Sequence, residues 1–119
     1  MTAAVMNPVK VEEAIRGVSE RISKGVSVCD QRYRAFLDAE REYDAAFARA
    51  YMTHQGPAHE RKYAAELATQ TERQARDVAD AAYRYADRQA KALQDELRAL
   101  QSVGASVRAM YGVAGVGER

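Results

Sequence analysis

The sequence predicts an all-α fold: a long antiparallel helical hairpin, coiled-coil-like, with an N-terminal helical extension, assembled into a homo-oligomer. Three observations predict it. Ala, Glu, Lys, Leu and Arg supply 57 of the 119 residues, the half-composition of long helices and coiled coils. Apolar residues recur almost throughout at steps of three and four, and no stretch alternates as a strand would. One strong break, His54-Gln55-Gly56-Pro57, divides the periodic pattern into two arms. Gly followed by Pro just past a helical segment is a stop signal, because neither residue continues a helix readily.

The elements follow in order. Residues 1–8 read as a flexible arm, ending in Asn7 as N-cap and Pro8 at the first helical position, where the missing N–H costs nothing. A first helix is expected near 9–24 and a second near 26–54. Their stripe is Val11, Ile15, Val18, Ile22, Val26, Cys29, Tyr33, Phe36, Tyr43, Phe47 and Tyr51. Gly17 and Gly25 each cost ~1 kcal/mol inside a helix, which predicts weakness and a bend near residue 25. After a turn at 55–58, a helix is expected over 59–111; nothing breaks it between 59 and 103, so it should run ~50 residues, or ~75 Å. Its stripe begins Tyr63, Leu67, Thr71, Ala75, Val78, Ala82 and Tyr85. It then sharpens into a heptad seam of Leu93, Leu97, Leu100, Gly104, Val107 and Tyr111, as in coiled coils. Residues 112–119, with Gly112, Gly115 and Gly117, read as a flexible tail.

Leu, Ile, Val and Phe number only 20, too few for a self-sufficient core. A partner surface is therefore expected, and symmetric self-association is the commonest remedy. The seam from Leu93 to Tyr111 is the expected oligomer interface. No apolar run reaches ~18 residues and the N-terminus has no export signal, which predicts a soluble, cytoplasmic protein without membrane contact.

Catalysis finds little footing. Cys29 is the one cysteine, so intramolecular disulfides and Cys-based zinc clusters are excluded. His54 and His59 flank the turn with only Glu60 as a third donor, which predicts a polar helix-end pair and no metal. Carboxylates interleave with Arg at helical spacing, the pattern of a solvated face. No glycine-rich phosphate loop occurs. The chain reads as a non-enzyme that needs no cofactor.

The charge pattern points elsewhere. The net charge is only +1, yet fourteen of the eighteen basic residues are Arg, the side chain suited to phosphate forks and base stacking. Arg84, Arg88, Lys91 and Arg98 form a row on the second arm, with Tyr83 at its edge. This row reads either as a track for a nucleic-acid backbone or as a solvated flank paired to Asp87 and Asp95. Tyr33, Tyr43, Tyr51, Tyr63, Tyr85 and Tyr111 fall on the apolar stripes and read as core or interface residues; Tyr83 alone lies off them.

A resemblance adds to this. The segments Phe47-Ala48-Arg49-Ala50-Tyr51, Glu60-Arg61-Lys62-Tyr63, Ala82-Tyr83-Arg84-Tyr85 and Ala92-Leu93-Gln94-Asp95-Glu96-Leu97-Arg98-Ala99-Leu100-Gln101-Ser102 carry it, with Val107-Arg108-Ala109-Met110-Tyr111. Over most of residues 26–111 the chain is similar to small helical proteins of phages and prophages of high-GC Gram-positive bacteria. In length and layout it resembles, more distantly, the phage recombination mediator UvsY. That resemblance implies a homo-oligomeric helical ring that binds single-stranded DNA and helps a RecA-like recombinase displace single-strand-binding protein in the bacterial host. In that family a Lys and an Arg two residues apart, followed by Tyr residues, contribute to DNA binding. Arg49 matches the Arg and Tyr51 an aromatic, while Phe47 occupies the Lys position.

The candidate nucleic-acid-binding residues are therefore Arg49, Arg61, Lys62, Arg84, Arg88, Lys91 and Arg98. The alternative is a helical assembly protein with no DNA binding. It could be a type VII secretion-like hairpin, whose YxxxD pattern Tyr83-Arg84-Tyr85-Ala86-Asp87 fits, or an anti-defence protein that masks a host nuclease.

Overall fold

The computed structural model describes residues 7–117, with side chains through Gly112. Three helices make up nearly all of it: α1 (Pro8–Thr53), α2 (Arg61–Ala68) and α3 (Gln70–Gly117), with a short 3-10 turn at Ala58–Glu60. The predicted N-cap is formed. Asn7 Oδ1 accepts the Lys10 N–H at 2.9 Å and the Asn7 carbonyl accepts the Val11 N–H at 3.0 Å, satisfying donors that would otherwise be orphaned.

The chain divides into two compact units, one built from the residues up to Val26 and from Arg88 onward, the other from Ser27–Asp87. In the first unit α3 packs antiparallel on α1. Val11 Cγ1 lies 3.1 Å from where a β-carbon on Gly104 would sit, and Arg21 reaches Glu96 at 3.4 Å. Val11 and Val18 are each 1% exposed. They face a seam of half-buried Leu93, Leu97 and Leu100 with buried Gly104 and Val107. In the second unit the pairing is again antiparallel: Tyr33 packs tilted against Tyr83 with ring centroids 5.1 Å apart, and Arg76 lies over the Tyr43 ring at 4.7 Å.

The elements depart from the sequence expectation in four places. The expected pair of helices near 9–24 and 26–54 is one continuous helix. α1 packs on both sides of Gly25, through Val11 and Val18 before it and Cys29 and Phe36 after it, although Val26, expected on the stripe, is exposed. That packing outweighs the ~1 kcal/mol that each glycine costs. The arm expected at 1–8 falls largely outside the described residues, and Pro8 already belongs to α1.

The helix expected over 59–111 is interrupted at Thr69, whose φ of −117° and ψ of 21° end α2. Thr69 is buried, and its hydroxyl donates to the Ala65 carbonyl at 2.6 Å. Such back-bonding competes with the helical ladder and bends it. The helix resumes at once, with the Arg73 N–H bonded to the Thr69 carbonyl at 3.0 Å. At the C-terminus the break expected at Gly112 is absent: α3 continues to Gly117, and residues 118–119 lie outside the described range.

The fourth departure matters most. The stripe expected to bury the second arm faces solvent: Tyr63 is 66% exposed, Leu67 70%, Val78 62% and Tyr85 63%. Glu72, Arg76, Ala79, Tyr83 and Ala86 are buried or half-buried instead, and of the expected stripe from Tyr63 to Tyr85 Ala82 alone is half-buried. The reason is phase. Stepping back from Leu93 by alternating threes and fours leads to Ala90, Ala86, Tyr83, Ala79, Arg76 and Glu72. The more apolar row is offset by one residue, about 100° around the helix. Tyr83, expected off the stripe, is therefore a seam residue.

Candidate nucleic-acid interface

The turn that ends the second unit is held by its own side chains. Thr53 Oγ1 donates to the Arg49 carbonyl at 2.7 Å, closing the end of α1. His54 Nε2 meets Glu60 Oε2 at 3.3 Å across the turn, and the Glu60 N–H bonds the Pro57 carbonyl at 3.0 Å. Gly56 lies beneath this pair. No described glycine has a positive φ, so Gly56 is not there for a left-handed cap. Its reason is space: a β-carbon would lie 2.7 Å from Glu60 Oε2 and closer still to His54 Nε2.

A prediction follows from that collision. Gly56→Ala should break the His54–Glu60 pair yet lower stability by less than about 1 kcal/mol, because the atoms in the way are the ends of two flexible side chains that can swing aside. In a His54→Ala, Glu60→Ala background the same change should be close to neutral, because the obstructing atoms are gone. Thermal melts of the four proteins form a double-mutant cycle that reads the coupling directly.

The seven candidate DNA-binding residues separate into two groups. Three flank the turn in the second unit. Arg49 and Lys62 are exposed and make no ion pair among the described residues; Arg61 is half-buried, and its Nε is buried without a hydrogen-bond partner. The sequence also misplaces two aromatics here. Tyr51 is 39% exposed and Tyr63 more so, although both fall on stripes that looked buried.

The position of Tyr51 has a local cause. Phe47 packs between Tyr43 and Tyr51 at centroid distances of 6.1 and 6.4 Å, the second pair nearly stacked. This ladder fixes Tyr51 at the end of α1 with much of its ring in water. Arg49, two residues away, projects from the other side of the helix, about 200° around. A strand touching both must cross the tip of the hairpin.

The other four candidates lie along α3. Arg84 is held by Asp80 at 3.0 Å and Arg98 by Asp95 at 3.3 Å. Arg88 and Lys91 are exposed. Internal carboxylates thus already engage Arg84 and Arg98, as expected for a paired flank. Asp95, anticipated as a partner, is one of them.

The expected oligomer seam also has a different use within the chain. Gly104 and Val107 are buried, with Val11 and Ile15 of α1 beside Gly104, while Tyr111 remains half in solvent. Cys29 is half-buried. Among the described residues no group of three or more His, Cys, Asp or Glu could hold a metal ion. No described helix is long and apolar enough to cross a membrane.

No protein-family model, no curated protein and no solved structure matches this chain.

Proposed function

We propose that this chain is a non-catalytic accessory protein of phage DNA recombination that binds single-stranded DNA as a homo-oligomer in the bacterial cytoplasm. In this reading it assists a RecA-like recombinase against single-strand-binding protein. The observation that carries the DNA part is the hairpin tip, where exposed Tyr51 and Tyr63 accompany exposed Arg49 and Lys62, cations without an ion pair among the described residues. Aromatic faces with cations are what a sequence-tolerant single-strand binder needs, because every base has a π-face and every nucleotide a phosphate. The recombination part rests on the resemblance of residues 26–111 to the phage proteins and of residues 47–51 to the UvsY type.

Oligomerisation multiplies the effect of a small tip, since several modest sites on one assembly act together. Labelled single- and double-stranded oligonucleotides, titrated with the protein at two salt concentrations, test the reading by fluorescence anisotropy. The expected result is single-strand preference, little dependence on base sequence and an affinity that falls steeply with salt as condensed counterions are released. Absence of binding at low salt and micromolar protein would overturn it. The second reading, a helical assembly protein without DNA binding, is favoured by the exposed apolar row from Tyr63 to Tyr85.

A further inference from the structure

The apolar row left bare in the second unit borders an open groove between α1 and α3. Its volume is 510 Å³, and its walls include Arg32 and Ala35 from α1 and Thr71, Ala75, Val78 and Ala82 from α3. The groove exists because alanines stand where a hairpin of this length would carry larger side chains. Neither helix fills the space, and the bordering apolar residues recur every three or four positions, the repeat of a surface that receives another helix.

One charge stands in this wall. Arg34 is tied to Asp30 at 3.1 Å and Arg41 to Asp38 at 2.7 Å. Arg32 makes no ion pair among the described residues. Its place in the α1 repeat, between Cys29 and Phe36, turns it toward α3 at the groove.

We propose that this groove docks an amphipathic α-helix of a partner protein, one that inserts leucine-sized side chains between the alanines and sets a carboxylate against Arg32. The Ala-lined floor selects large aliphatic anchors, and the guanidinium selects a helix with an acidic flank. A nucleic-acid backbone fits poorly, because a single cation stands in a wall that is otherwise almost entirely apolar.

Two labelled helical peptides test this on the full chain without DNA, and so independently of the proposed function. Both carry leucine at i, i+3, i+4 and i+7; one has glutamates on its flanks, the other lysines. The Glu-flanked peptide should bind about tenfold more tightly, the difference one well-placed charge pair makes, and Arg32→Glu should reverse the preference. Ala75→Glu and Val78→Glu, both at exposed positions, should abolish binding of either peptide while the thermal melt stays unchanged. Failure of both peptides to bind at high micromolar concentration would overturn the proposal. So would binding that survives both groove substitutions. Self-association abolished by Ala75→Glu would give the groove to a second copy, and oligonucleotide release by the same change would give it to nucleic acid; either result contradicts the assignment.

Discussion

Leucine at Gly104 should destabilise the chain by about 2 kcal/mol and lower the melting temperature by roughly 8 °C for a domain of this size. The first unit is closed by the approach of α3 to α1 at this position. A β-carbon would already come within 3.1 Å of Val11 Cγ1 and 3.9 Å of Ile15 Cδ1, and Val11 is among the most buried residues of the protein. A leucine places three further carbons into that contact, which forces the two helices apart. Gly104→Ala gives a graded control. Its single β-carbon requires Val11 to give by a few tenths of an ångström, while the helix gains ~1 kcal/mol in propensity. The two effects nearly cancel, so its melt should stay close to that of the parent.

The shift with leucine should not depend on protein concentration, because the contact lies within one chain. A strongly concentration-dependent shift would return Gly104 to the subunit interface that its heptad position suggests.

The second large effect concerns the hairpin tip. Replacing Tyr51 and Tyr63 together by alanine removes two exposed π-faces, each worth about 1–3 kcal/mol when a base stacks on it. Affinity for single strands should fall by about a hundredfold. Reversing Arg49 and Lys62 to glutamate should act differently, weakening binding and flattening the salt slope by the phosphates no longer neutralised. All four side chains are substantially exposed, so neither pair of changes should alter helicity at 222 nm. On α3, Arg84→Ala with Arg88→Ala should have the smaller effect, since Asp80 already neutralises Arg84.

Much of the fold can be read from residue spacing. The Asn7-Pro8 start, the turn at His54-Gln55-Gly56-Pro57 and the seam from Leu93 to Val107 are local signals, and each is where the spacing puts it. What hydrophobicity does not reveal is the phase of α3 before that seam. Two rows compete there, and hydrophobicity alone selects Thr71, Ala75, Val78, Ala82 and Tyr85. Continuity with the leucine seam selects the more polar row containing Glu72, Arg76 and Tyr83. A regular four-three count backward from Leu93 carries the signal that finds the right row.

Thr69 is a related case. A single buried hydroxyl bonded to the Ala65 carbonyl interrupts the helix, and threonine in a helical pattern does not announce that bond. At the candidate site the cations Arg49 and Lys62 are legible from composition and motif. The exposure of Tyr51 and Tyr63 is not, because it depends on the packing of Phe47 and on the phase of the second arm.

The proposed passage of single-stranded DNA over the hairpin tip is open to photo-crosslinking. A single strand carrying 5-iodouracil, irradiated with the native protein and mapped by mass spectrometry, reports which aromatic rings lie against bases. Cross-links are expected at Tyr51 and Tyr63, lost when salt is raised. Cross-links confined to Tyr85 or Tyr111, or none at a salt concentration where anisotropy shows binding, would contradict it.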